Sequence, residues 1–434
     1  MFQDTVSLAI SLDVKYIWID ALCIIQGDEA DWAIESPKMG AIYAGAYVVF
    51  AAHGPELGLT KEMHRCTDPD STDTVRNAGD SRVFVRPSID HDNLVNPPED
   101  DKTWFGRAWC FQERLFGSRI LHFGGTWEEM WFECSVHLRC ECGEAFRLSK
   151  GSADHDGSTW NHQKAHFART LQNSARFSSG QQAQKTWRMF VSFCETFTSQ
   201  GLTNPQDTLV ALSSLADVVS PYLGRYLAGL WEHNILIGLQ WESVDGRESS
   251  RHSSYIAPSF SWASRTGAVV WYISDTYMKP DPEQCEFAQV LDMHCETSLQ
   301  TPYGRVQGGH IRLRGYAVTM YFKDEEGCYS LGRLKIRPNA PAAGNEASTS
   351  NSQTQPEDAD SCWVCMDAIE DMLQAKGRAV TCLDIMRDKG KPGYLSALVL
   401  VPAVERPGAY RRVGFSTIEK SFFHGAHLEE LTII

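Results

Sequence analysis

A chain of 434 residues is longer than one ordinary domain and predicts two or three. Apolar residues make up 43% and charged residues 22%, which are globular proportions. A net charge of -15 argues against non-specific nucleic-acid binding and against anchoring to an acidic membrane. No run approaches the roughly 20 uninterrupted apolar residues of a membrane span. The start is flanked by Asp4 and Asp13 and has no basic region, so it does not read as a secretory signal. The 13 cysteines are odd in number and scattered through apolar runs, as at Cys23, Cys110 and Cys194. That pattern predicts reduced thiols in a cytoplasmic protein.

Taken in chain order, the first 55 residues predict helix, strand, helix, strand. Phe2, Val6, Ala9 and Ile10 share one helical face. Tyr16 to Ile25 is a near-continuous apolar run, expected as a strand buried on both faces of a parallel sheet. Met39, Ile42, Tyr43 and Ala46 repeat at helical spacing behind a Ser36-Pro37 start. Tyr47 to Ala52 predicts the next strand, closed by a turn at His53-Gly54-Pro55.

Residues 56–101 are mostly polar, with a strand-like island at Arg82 to Arg86. Trp104 to Leu115 predicts a helix and Arg119 to Phe123 a strand. This alternation predicts an α/β sandwich. After a polar connector at 150–182, Trp187, Phe190, Val191, Cys194 and Phe197 line one helical face, and Ala211, Leu212, Leu215, Val218 and Val219 another. Ile311 to Val318, Tyr394 to Pro402 and Tyr410 to Phe415 read as strands of a β-rich, antiparallel carboxy-terminal part. Asn339 to Ser361 is low-complexity and is expected to be a disordered insertion. The expected domains are 1–135 (α/β), 136–205 (a Cys-rich segment and helical connector) and 206–434 (helical, then β-rich).

The chemistry-bearing residues fall into a few groups. Asp20, inside an apolar run, reads either as a pocket residue at a strand end or as a structural carboxylate accepting backbone N–H bonds. Cys23 reads as a packed small hydrophobe. Gln26, Asp28, Glu29 and Asp31 read as a solvated loop at a helix start. Arg107, Trp109, Gln112 and Glu113 are the sharper set, with Trp109 and Glu113 four apart on one helical face. An aromatic and a carboxylate facing a crevice could bind and cleave a nucleotide glycosidic bond. The competing reading makes Trp109 core and pairs Glu113 with Arg114, Arg119 or another cation. Cys134, His137, Cys140 and Cys142 are ligand types that zinc accepts, but their spacing departs from paired knuckles. Cys362 and Cys365 mimic a redox motif without its βαβ context. No resident cofactor is expected.

Two blocks, Tyr16 to Ala46 (YIWIDALCIIQGDEADWAIESPKMGAIYAGA) and Gly106 to Gly124 (GRAWCFQERLFGSRILHFG), resemble the fungal heterokaryon-incompatibility (HET) domain family. Asp207 to Ala216, Tyr226 to Trp231 and Ala257 to Ser264 resemble segments that commonly follow that domain. The family usually opens with a strand bearing a Ser-Tyr-x-Trp-Gly-like motif before the first block, and this chain starts after that point. The resemblance therefore implies an amino-terminally truncated HET domain, an incomplete sandwich like that of Toll/interleukin-1 receptor (TIR) domains. It implies a cytoplasmic effector in fungal non-self recognition and programmed cell death, acting through other proteins or self-association.

The run Trp109-Cys110-Phe111-Gln112-Glu113 also resembles the TIR stretch that ends in the catalytic Glu. By that analogy Glu113 is the catalytic carboxylate of an NAD-cleaving hydrolase, with Asp20, Arg107 and Trp109 binding substrate. An interaction module, this enzyme and an inactive relic are the three readings carried forward.

Overall fold

The computed structural model describes residues 2–53, 75–78, 81–84, 104–123, 130–141, 143–147, 160–172, 178–271, 286–297, 302–322, 329–330, 333–337, 362–373, 378–387 and 393–434. The insertion expected at 339–361 lies outside them. The chain divides into two compact units, one of residues 1–178 with 200–202, the other of 179–199 with 203–434.

The first unit opens with α1 (Phe2–Ser11), α2 (Asp20–Cys23), α3 (Glu29–Glu35) and α4 (Met39–Gly45). Asp28 starts α3 by accepting from the N–H groups of Ala30 (2.9 Å) and Asp31 (3.1 Å), as its acidic helix-start pattern predicts. Strand β1 (Val49–Ala52) follows, then the hairpin of β2 (Val75–Ala78) and β3 (Ser81–Phe84). A 3₁₀ turn, Trp104–Gly106, leads into α5 (Ala108–Phe116), which feeds β4 (Arg119–Phe123), β5 (Trp131–Cys134), β6 (His137–Cys140) and β7 (Ala145–Arg147). Helix α6 (Trp160–Gln172) completes the unit. The sheet order is β1-β4-β5-β6-β7. Its β1–β4 pair is parallel and the remaining pairs are antiparallel. The amino-terminal sheet is thus mixed, rather than parallel throughout.

One expectation is overturned. Tyr16 to Ile25 is not a buried central strand. Residues 14–19 are irregular and Asp20–Cys23 forms one helical turn. Tyr16 is 89%, Leu22 65% and Ile25 62% exposed. The local cause is Asp20, whose Oδ1 accepts the N–H of Ala21 at 2.8 Å while the N–H of Cys23 returns to the carbonyl of Ile19. Asp side chains compete in this way for nearby backbone groups and favour turns over ladders. A strand buried on both faces also needs a sheet neighbour on each side, and Tyr16 to Ile25 pairs with none among the described residues. The apolar face of α1 is likewise outward: Phe2, Val6 and Ile10 are exposed, and Thr5 and Ala9 are its buried residues. Cys23, read as packed, is exposed.

The second unit matches the sequence pattern closely. Helix Ser179–Thr198 buries Trp187, Phe190, Val191, Cys194 and Phe197, and helix Ser213–Leu223 buries Leu215 and Val219. Among the described residues ten strands then join one sheet around the 17-residue strand Val306–Phe322. Its pairings are antiparallel except that between Ala409–Glu419 and His427–Ile433. Two of the segments flagged by resemblance meet here. Tyr226–Leu227 and Leu230–Trp231 form a hairpin whose loop residues Ala228 and Gly229 both have positive φ. The indole N–H of Trp262 donates to the Gly229 carbonyl at 2.9 Å, and a Cβ on Gly229 would stand 2.7 Å from that ring. Deeper in the unit, buried Arg412 bonds both oxygens of buried Asp367 (3.1 and 3.2 Å) and lies 3.5 Å over the Trp241 ring.

Candidate functional site

Helix α5 supplies the centre of the site. Its apolar positions Ala108, Cys110, Phe111 and Leu115 are buried, and Glu113 between them is half-buried. The indole N–H of Trp104, in the turn ahead of the helix, donates to Glu113 Oε2 at 3.4 Å. Tyr43, on α4, and Cys110, one turn back on α5, are electrostatically coupled to Glu113. Burial pushes the Glu113 pKa up to about 7; the charge of Arg107 opposes the rise, and that of Asp20 adds to it. Burial, with Glu113 second, also raises the Tyr43 phenol and the Cys110 thiol well above their usual ranges.

The fold therefore brings three of the sequence-predicted residues, Asp20, Arg107 and Glu113, into one electrostatic neighbourhood. Trp109 goes elsewhere: its ring lies against Trp32 with centroids 5.2 Å apart. The indole on Glu113 belongs to Trp104 instead. Neither Arg114 nor Arg119 pairs with Glu113 as the competing reading had it, since Arg114 is committed to Glu133 and Arg119 lies over Tyr47. Asp20 is exposed at the start of a helical turn, not at a strand end; its Oδ1 accepts the N–H of Ala21, and its charge reaches Glu113.

Behind this site lies a buried polar chain that sequence reading missed. Arg114 Nε donates to Glu133 at 2.9 and 3.0 Å. His122 Nε2 is 3.0 Å from Glu133 Oε2, and His122 Nδ1 is 2.8 Å from His53 Nε2. Burial works to raise the Glu133 pKa, but Arg114, Lys164 and His122 outweigh it and hold the carboxyl well below the usual range. An ionised Glu133 only accepts, so His122 carries its proton on Nε2 and accepts at Nδ1 from the N–H of His53. Both imidazoles are neutral: burial takes His122 down to about 4 and His53 to about 2. Trp131 stacks on His122 with centroids 3.7 Å apart. Trp104 stands edge-on to both rings, at 5.7 Å from His53 and 5.4 Å from His122. Lys164, on α6, faces the same carboxylate, and burial lowers its amine to about 8.

The Cys-rich segment builds a different local structure. His137 and Cys140 lie on β6, His137 exposed and Cys140 buried, and the Cys134 thiol accepts the N–H of His137 at 3.4 Å. Cys142 lies outside the described residues. Among the described residues no group of three or more His, Cys, Asp or Glu side chains is placed to hold a metal ion. In the second unit Cys362 is buried on its strand, while the Cys365 thiol donates to Glu242 at 2.8 Å. Among the described residues no helix is long and apolar enough to cross a membrane.

No curated protein and no solved structure matches the chain. The sequence model of the family described as Heterokaryon incompatibility protein (HET) matches residues 1–113, a stretch that holds Asp20, Tyr43, Trp104, Arg107, Cys110 and Glu113. Residues 1–113 are thus similar to heterokaryon-incompatibility (HET) domain sequence, which supports a role related to heterokaryon incompatibility.

Proposed function

We propose that the chain is an effector of fungal heterokaryon incompatibility, whose HET segment triggers cell death in the cytoplasm by cleaving NAD at Glu113. The observation that supports this reading is Glu113 itself. It is a half-buried carboxylate bonded by the Trp104 indole and raised to titrate near neutrality, and carboxylates tuned in this way cluster at catalytic sites. Cleavage of the nicotinamide–ribose bond builds positive charge on the ribose ring, as in glycoside hydrolysis. A carboxylate in a partly apolar pocket stabilises that charge more strongly than one in water. Arg107 is exposed beside it and suits a phosphate of the dinucleotide, while Asp20 suits a ribose hydroxyl.

The test is inducible expression of the full chain in a fungal host, with viability as the readout. The wild-type chain should kill, and Glu113→Gln, accumulating to the same level, should not. Equal killing by both would move the effect to an interaction surface. No killing by a well-accumulated wild-type chain would favour the inactive relic.

A further inference from the structure

The N–H groups in the first turn of a helix have no partner within it, and the side chain of the preceding residue often accepts one of them. Helix α5 begins without that help. The residue before it is Arg107, whose guanidinium can only donate and whose side chain makes no cap bond. A segment far along the chain takes over. The carbonyl of Gly201 accepts the N–H of Ala108 at 2.9 Å, and the N–H of Gly201 donates to the Gly106 carbonyl at 2.7 Å. Gln200, buried beside it, donates its side-chain amide to the Phe105 carbonyl at 2.6 Å. Two adjacent residues thus hold Phe105, Gly106 and Ala108. The same stretch carries Trp104, whose indole bonds Glu113, and Arg107, whose charge bears on it. Gln200–Leu202 belongs to the first unit, although residues 179–199 and 203–434 on either side belong to the second.

We propose that Gln200 and Gly201 are positioning residues of the Glu113 site, a clamp from outside the HET-similar stretch that fixes the Trp104–Ala108 turn so that the Trp104 indole reaches Glu113. Both act through the turn. Phe105 and Gly106 directly follow Trp104, so holding their carbonyls fixes the backbone that carries the indole. The indole bond is long, at 3.4 Å, and a small displacement of the turn would break it. Occupying the Ala108 N–H also fixes where the helix bearing Glu113 begins. The site is in this way completed by residues that the chain supplies on an excursion from the second unit. The inference rests on the NAD-cleaving reading for the identity of the reaction, but the clamp itself is read from Glu113 directly.

Full-length chain labelled with ¹³C at Glu carboxyls is titrated by infrared difference spectroscopy, and the Glu113 band is identified by its loss in Glu113→Gln. Gln200→Met keeps the length of the side chain and removes the donor. With the indole bond loosened the carboxylate loses stabilisation, and its titration should move upward by about half a pH unit or more. Trp104→Phe already lacks the indole N–H, so adding Gln200→Met to it should give less than about half of that shift. A residue that merely supports the fold would shift both backgrounds alike. An unmoved titration, a downward shift, or equal shifts in the two backgrounds would overturn the proposal. A second measurement needs no variant. In the wild-type chain the Ala108 and Gly201 amides open with one clamp, so hydrogen exchange by NMR should give protection factors within about tenfold of each other. Protection of one amide without the other would also overturn it. With NAD as substrate, Gln200→Met should lower kcat/KM by about tenfold. Shifts of the expected sign in a chain that leaves NAD intact would uphold the clamp and remove the NAD-cleaving reading instead.

Discussion

Trp104 donates its indole N–H to Glu113 across 3.4 Å while its ring stands edge-on to His53 and His122. One side chain thus forms a wall shared by the candidate site and the buried chain behind it. Trp104→Phe keeps most of the wall and removes the donor. The expected cost is about 1–2 kcal/mol in urea unfolding, the range for leaving one buried acceptor short of a partner. The same change should raise the pH at which Glu113 titrates. No change in stability together with no change in titration would mean that the bond is not made in solution.

The Arg114–Glu133 pair gives a larger effect. Both residues are buried, so Glu133→Gln strands a guanidinium and weakens the acceptor for His122. The expected loss is about 3–5 kcal/mol, as for other buried pairs broken on one side. Replacing Arg114 and Glu133 together by apolar residues of similar volume should cost clearly less than Glu133→Gln alone. Chemical denaturation of the three variants checks this, and a double variant worse than the single one would count against an uncompensated charge as the cause.

Two opposed pH dependences follow from the burial of these groups. Glu113 has its pKa raised from 4.5 to about 7 in the folded chain. Its favourable contribution is therefore present below pH 4.5 and lost as the pH rises towards 7, a swing of about 3 kcal/mol at most. Glu113→Gln should gain stability relative to the wild type over that window, because the difference cancels every other titration. His53 and His122 behave in the opposite sense. Their folded values of about 2 and about 4 lie below the ordinary 6.5, so their contribution is present above 6.5 and is lost as the pH falls below it. At pH 5 both should still be neutral by NMR of the ring nitrogens, and an imidazolium at either position would contradict the buried chain.

Trp18 is partly buried, not central to a core, and its ring meets Tyr43 edge-on. Trp18→Ala should cost about 1–2 kcal/mol, less than the roughly 3–5 kcal/mol of a fully buried aromatic. Urea unfolding measures the cost, and a loss of about 3 kcal/mol or more would mean that Trp18 is core.

What could be read from the sequence was mostly local. The acidic helix start at Asp28 to Asp31, the helical spacing of Met39 to Ala46 and the Arg119–Phe123 strand each depend on residues close in the chain, and each stands as expected. The same is true of Tyr394–Pro402, whose bounds match. Tyr16 to Ile25 misled because a continuous apolar run reports burial only if neighbouring strands are there to bury it. Within the site, α5 was legible and its partners were not. His53 and His122 are 69 residues apart and His122 and Glu133 are 11 apart, so no spacing rule joins them. His53 read as part of a turn. Helical spacing also favoured Trp109 over Trp104 as the aromatic on Glu113, because it carries no information about the 3₁₀ turn that brings Trp104 back over the helix.

The most direct test of the account is release of nicotinamide from NAD by the purified full-length chain, followed by chromatography at concentrations high enough for self-association. The account predicts steady release by the wild-type chain, rising with pH as Glu113 ionises near 7, and loss of at least about a hundredfold in Glu113→Gln, which keeps the shape and removes the charge. Equal release by both chains, or none from a folded and self-associated wild type, would contradict it and leave Glu113 a structural carboxylate.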